Sequence, residues 1–188
     1  MNAIILHGMP DPGDEEYYNP QFPSASNSHW IPWLQKQLMI KDIPTQTPEM
    51  PQSWKPDYEL WRKEFERYDI TPDTILVGHS CGGGFIVRWL SEHKDVRVNS
   101  VLLVAPWIDP NRRNTTDFFD FEIDPALADR TKQLTIYGSD NDTADVQLSA
   151  YTLIDTIKGT IYREFKGYGH FTKEAMGTDQ FPKLLEAI

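Results

Sequence analysis

Residues 73–90 narrow the possible folds more than any other stretch of this chain. Asp73-Thr74-Ile75-Leu76-Val77 is an apolar run rich in β-branched side chains, the pattern of a buried strand. It meets Gly78-His79-Ser80-Cys81-Gly82, a Gly-x-Ser-x-Gly pentapeptide, and an amphipathic helical pattern opens at Gly83-Gly84-Phe85-Ile86. Strand, tight turn and helix in that order are the context in which this motif means a nucleophile elbow. Glycines at 78 and 82 clear the space around a strained turn, and the Ser80 hydroxyl is pushed out above the sheet edge.

A serine hydroxyl is a weak nucleophile without a base. In an elbow of this type the partners follow in the chain order serine, acid, histidine. Two histidines lie after Ser80. His93 falls at the polar end of the helix after the elbow and reads as a solvated helix terminus. His170 lies in Lys166-Gly167-Tyr168-Gly169-His170-Phe171, a loop just past the strand-like run Thr160–Phe165, and is the expected general base. The acid should follow an intermediate strand. Gln133-Leu134-Thr135-Ile136-Tyr137 is such a strand, followed by Gly138-Ser139-Asp140-Asn141-Asp142-Thr143. Asp142 is the favoured acid, at the end of the turn. Asp140 and Asp145 are alternatives, the latter also explained as a carboxylate in a helix first turn. Asp109, after the fourth strand, is the next candidate.

One oxyanion donor should be the backbone N–H of Cys81, next to the nucleophile. The other should come from a loop near the chain start. Ala3-Ile4-Ile5-Leu6 reads as a short strand followed by His7-Gly8-Met9, where Gly8 allows a close approach and leaves the N–H of Met9 for the substrate oxygen.

Taken together, His7-Gly8, Asn27-Ser28-His29-Trp30-Ile31-Pro32-Trp33-Leu34, Pro51-Gln52-Ser53-Trp54, the elbow, Gly138–Asp142 and Gly169-His170-Phe171 give the chain a family likeness. It resembles the small, lidless α/β-hydrolases typified by retinoblastoma-binding protein nine and its bacterial relatives. The likeness spans nearly the whole chain. It implies a Ser80–Asp142–His170 triad and hydrolysis of small esters or amides, without a cofactor. In that family the acid is usually followed by proline and an apolar residue. Here Thr143 follows Asp142, so the choice between Asp140 and Asp142 stays open.

At 188 residues the chain suits one domain, 1–188, with a single core. A net charge of −10 disfavours nucleic acid and anionic membrane surfaces. No apolar stretch approaches the ~20 residues of a membrane span. The N-terminal residues lack the basic region and long apolar core of a signal peptide. A single cysteine excludes an internal disulfide, and the expected location is the cytoplasm. No Cys/His cluster has metal-ligand spacing, so no metal is expected.

Strands are expected near 3–7, 41–46, 73–78, 99–104, 133–138 and 160–165. Helices are expected near 29–39, 57–68, 83–93, 144–157 and 179–188. This alternation predicts an α/β fold: a three-layer sandwich around a six-stranded, mostly parallel, doubly wound sheet in the order 2-1-3-4-5-6, with strand 41–46 at an edge and no lid domain. Strands 1 and 3 flank the point where the chain reverses, so His7-Gly8-Met9 and Ser80 should share one crevice. Two long irregular segments, 9–28 and 105–130, should border it, with Trp107, Phe118 and Phe119 shaping the substrate pocket. Trp30, Trp33, Trp61 and Trp89 fall on apolar helical faces and should be core.

Cys81 is not the expected nucleophile, because centring the elbow on it would place His79 where glycine is needed; it should pack beneath the turn. The leading reading is a serine hydrolase acting through an acyl-enzyme. Ester cleavage is favoured over amide cleavage, because esters have better leaving groups. A non-catalytic protein-binding module on the same scaffold is the alternative, since fold alone does not establish function.

Overall fold

The structure, a computed structural model, describes residues 1–10, 24–113 and 116–188. Six strands form one sheet: β1 (Asn2–Leu6), β2 (Thr45–Gln46), β3 (Thr74–His79), β4 (Val98–Val104), β5 (Thr131–Ser139) and β6 (Ile161–Phe165). Their order is β2-β1-β3-β4-β5-β6, and every neighbouring pair is parallel. The doubly wound topology expected from the alternation of elements is the one observed, with β2 at one margin and β6 at the other.

Period-2 alternation explains how the sheet is covered on both faces. Ile4, Leu6, Leu76, Val101, Leu103 and Ile136 point to one core. Ala3, Ile5, Ile75, Val77, Leu102 and Val104 point to the other. Helices α2 (Tyr58–Phe65) and α3 (Cys81–Glu92) close the first core through Trp61, Phe65, Phe85 and Trp89. Helix α1 (Ile31–Ile40) closes the second through Ile31, Leu34 and Leu38. The helix α4 (Ala144–Thr156) lies between β5 and β6 in the chain and buries Val146, Ala150 and Leu153. Trp30, Trp61 and Trp89 are core, as expected, and Trp33 is partly buried against the second core.

Local signals account for the helix bounds. Asp57 caps α2 by accepting the N–H of Leu60 at 2.9 Å, and Pro32 occupies the first turn of α1, where its missing N–H costs nothing. Three expectations shift. The second strand shortens from 41–46 to Thr45–Gln46, because Lys41 and Asp42 complete the end of α1 and Asp42 turns back at φ 59°. α3 starts two residues before the expected 83, directly after Ser80. The expected helix 179–188 contracts to α6 (Pro182–Leu185), preceded by the unexpected α5 (Lys173–Met176), which Thr172 caps and Gly177 ends at φ 69°. Among the described residues no helix is long and apolar enough to cross a membrane.

Candidate active site

The β3–α3 turn sets Ser80 at φ 53°, in the left-handed region that disfavours any side chain beyond glycine. Such a conformation costs on the order of 1–3 kcal/mol and persists only where the surroundings over-determine it. Here they do. The N–H of Ser80 donates to Val104 across the sheet at 2.9 Å, and its carbonyl accepts from Gly83, Gly84 and Trp107. A Cβ on Gly78 would lie 2.6 Å from the Gly83 Cα, and one on Gly82 would run into the carbonyl of His7. Ser80 thus stands at the C-terminal end of β3, beside the end of β1.

His170 lies in the loop after β6, and its ring bridges two side chains. Nε2 is 2.9 Å from the Ser80 Oγ; Nδ1 is 2.9 Å from Oδ2 of Asp142. The carboxylate only accepts, so Nδ1 carries the proton and Nε2 presents its lone pair to the serine. The Asp142 side chain is 2% exposed, so this bond is shielded from water, whereas the His170 side chain is 32% exposed and reaches the surface of the cleft.

The turn after β5 resolves which aspartate meets the histidine. Ser139, Asp140, Asn141 and Asp142 divide the neighbouring loop among them. Asp140 Oδ1 accepts the N–H of Gly167 at 2.8 Å, the Ser139 Oγ that of Tyr168 at 3.0 Å, and Asn141 Oδ1 that of Gly169 at 2.8 Å. Asp142 takes the imidazole of the next residue. Asp145 is also turned elsewhere, bonded by Asn111 at 2.7 Å and paired with Arg113 at 3.1 Å. Asp109 accepts the N–H of Arg113.

Gly8 approaches Ser80 so closely that a Cβ would stand 2.8 Å from the serine Cβ. The Gly8 carbonyl accepts from His7 Nδ1 at 2.7 Å, and His7 Nε2 in turn accepts the N–H of Met50 at 2.9 Å. Burial depresses the pKa of His7, outweighing the Gly8 carbonyl and Glu49, which both favour its charge. A trans peptide sets its C=O and N–H on opposite sides, so the N–H of Met9 faces away from the His7 ring.

Met9, Ser80, Trp107, Thr143, Asp145, Val146 and His170 line an open cleft of about 260 Å³. Trp107 reaches it. Phe119, also expected there, is not among the lining residues and packs edge-on against Trp107 at 5.2 Å. Phe118 does not line it either. It is 1% exposed and sits among Tyr58, Trp61 and Phe85 in the first core, so its expected place in the pocket is corrected to a packing role. The expectation that 105–130 borders the site holds for its beginning; residues 117–119 instead fold as a short turn against α3, tied by Arg88 to the carbonyls of Asp117 and Phe118. Of the segment 9–28, residues 11–23 lie outside those described. Cys81 is fully buried, and burial pushes its thiol pKa up, away from the reactive thiolate. His93, expected to be solvated, stacks on Trp89 at 4.3 Å.

His29, His79, Ser139 and Asn141, none of them among the expected site residues, also hold the loop that carries His170. The signal was present in two forms: a run of four polar acceptors from the last residue of β5 into the turn after it, and a histidine placed inside the elbow.

No curated protein sequence matches this chain. Among solved structures, the ydeN gene product of Bacillus subtilis superposes with a TM-score of 0.79 at 22% identity, covering 99% of this chain and 95% of that one. A putative YdeN-like hydrolase from Pectobacterium atrosepticum superposes at 0.62 and 19% identity, over 98% of this chain and 88% of that one. Est1E from Butyrivibrio proteoclasticus gives 0.54 and 14%, over 98% and 86%. At these identities the likeness is one of fold, and the fold is that of the α/β-hydrolases. The serine hydrolase family profile matches residues 19–188, nearly the whole chain, and the protein therefore belongs to the serine hydrolase family.

Proposed function

We propose that this protein cleaves small carboxylic esters through an acyl-enzyme formed on Ser80, within the branch of the family typified by retinoblastoma-binding protein nine. Residues 1–188 then act as a single α/β-hydrolase domain. One observation carries the reading: a single imidazole, that of His170, bridges the hydroxyl of a strained serine and a buried carboxylate, at 2.9 Å on each side. As Ser80 Oγ attacks the substrate carbonyl, His170 Nε2 takes its proton. Asp142 holds Nδ1–H and stabilises the imidazolium that forms. The oxyanion is received by the N–H of Cys81, which opens α3 and has no partner within the helix, and by the N–H of Met9. The tetrahedral intermediate collapses, His170 protonates the departing alkoxide, and water repeats the sequence to release the acid.

The size of the cleft supports small substrates. Its 260 Å³ falls below the ~300–1,000 Å³ usual for drug-sized ligands. Trp107 and Val146 offer apolar walls to a short acyl chain. Among the described residues no lid covers the opening.

Fluorophosphonate labelling of the purified protein tests the nucleophile. Wild type and Cys81→Ala are expected to label, and Ser80→Ala is expected not to while keeping its fold. Labelling that persists in Ser80→Ala refutes the assignment, and a wild type that never labels points to a binding module instead. A chain-length series of nitrophenyl esters then places the acyl preference.

A further inference from the structure

We infer that His79 is a positioning residue: by donating Nε2–H to the main-chain carbonyl of His170, it sets where the general base stands. This rests on the reading of His170 as that base. His79 occupies a variable place in the elbow pentapeptide, where turn geometry makes no demand for histidine. It is 4% exposed, and its Nε2 lies 2.8 Å from the His170 carbonyl oxygen. A carbonyl only accepts, so Nε2 bears the proton and the ring is neutral. Burial above all, with His170 and His29 nearby, holds its pKa well below the ordinary histidine range and keeps it so.

The bond falls where local preference would not hold the chain. The carbonyl belongs to the peptide joining His170 to Phe171, and Phe171 stands at φ 54°. A non-glycine residue there is disfavoured, so the orientation of that peptide must be fixed from outside. Phe171 anchors one side by complete burial. His79 anchors the other. Its own ring is confined: His29 and Trp30 meet it edge-on, each at 5.8 Å, and the His170 ring lies at 5.0 Å. His29 also accepts the N–H of Lys173 at 3.2 Å, holding the same segment three residues on. Adjacent residues of one turn therefore govern both ends of the Ser80–His170 contact. Ser80 supplies the hydroxyl and His79 grips the backbone of its acceptor.

Two amide replacements separate positioning from bulk packing. The Gln side chain can bring an N–H to about the place of Nε2, whereas the Asn amide reaches only to about the place of Nδ1. His79→Asn is expected to lower kcat about 10- to 100-fold, the scale of a misplacement near 1 Å, with KM within about twofold. Fluorophosphonate labelling should slow by the same factor, and His79→Gln should recover most of both. Thermal melts check that each variant is folded. Equal losses in the two variants overturn the proposal, as does a folded His79→Asn with wild-type kcat or one that alters KM alone. The unaltered protein supplies a test that needs no variant: ¹⁵N NMR should find His79 as the Nε2–H tautomer, and an Nδ1–H tautomer overturns the inference. His170→Ala separates the two levels. If it keeps wild-type kcat, the base assignment fails and this proposal with it. If it is inactive beside an unimpaired His79→Asn, only the present inference fails.

Discussion

Asp140 and Asp142 stand two residues apart in one turn, and their different partners predict different mutant phenotypes. Asp142→Asn leaves the geometry in place but presents the wrong group to Nδ1, and a triad acid replaced in this way can cost roughly 10⁴ in turnover. We expect a loss of that order in kcat. Asp140→Asn keeps an Oδ1 that can accept the N–H of Gly167 and removes only the negative charge, away from the imidazole, so it should cost far less. The reverse ranking would move the acid to Asp140. Gly8→Ala should be nearly as severe as loss of the acid, because its methyl group would meet the Ser80 Cβ at 2.8 Å. Normal ester turnover in that variant would mean that Gly8 does not border the reacting serine. Ser80 and His170 were legible in the sequence because Ser80 is centred between Gly78 and Gly82, and His170 directly follows Gly167-Tyr168-Gly169 at the end of a strand-like run. The acid was narrowed but not settled, since spacing cannot say which of two neighbouring carboxylates turns back toward the histidine. Phe118 was misplaced for a related reason. An aromatic in a long loop gives no local sign of whether it faces a cleft or plugs a gap between α2 and α3.

The strands and the larger helices followed from periodicity, which buried faces enforce. Short elements did not. β2 needs only two residues to pair with β1, and α5 is one turn held by Thr172 and Gly177, so neither generates a repeating pattern. A long-range feature equally hidden is Arg130, just before β5. It donates to the carbonyls of Leu90, His93 and Val96, which close the end of α3, and pairs with Asp124 at 2.8 Å. Both side chains of the pair are at most 10% exposed. Arg130→Met would leave a buried carboxylate without its partner, an effect typically worth about 3–5 kcal/mol. Chemical denaturation should report a loss of that size. Because Arg130 precedes β5 while Ser80 follows β3, the two lie at opposite ends of a parallel sheet, and kcat measured well below the melting temperature should be unchanged. A loss under 1 kcal/mol would show that the pair is not a structural clamp.

At the scale of the whole molecule, three histidines tie stability to pH. Burial is the largest influence on His7, His29 and His79, and it lowers the pKa of each in the folded state. In the unfolded chain they titrate near ~6.5. Below that pH the unfolded chain binds protons that the folded one refuses, so stability is full above about pH 6.5 and declines as pH falls through it. Melting temperatures should drop between pH 7 and pH 5, and a flat profile over that range would contradict the burial of these rings. The sheet order carries a further consequence. β6 pairs with β5 alone, and Ile161 on it is 45% exposed, yet the loop it leads into delivers His170. Ser80, by contrast, leaves the interior strand β3. The two halves of the site therefore belong to regions of unequal protection against local opening. Mild denaturant should extinguish ester turnover before the buried tryptophans Trp30, Trp61 and Trp89 report any transition, and amide hydrogens of β6 should exchange ahead of those of β3. The enzyme would then lose its activity by fraying at one margin while most of the molecule is still native.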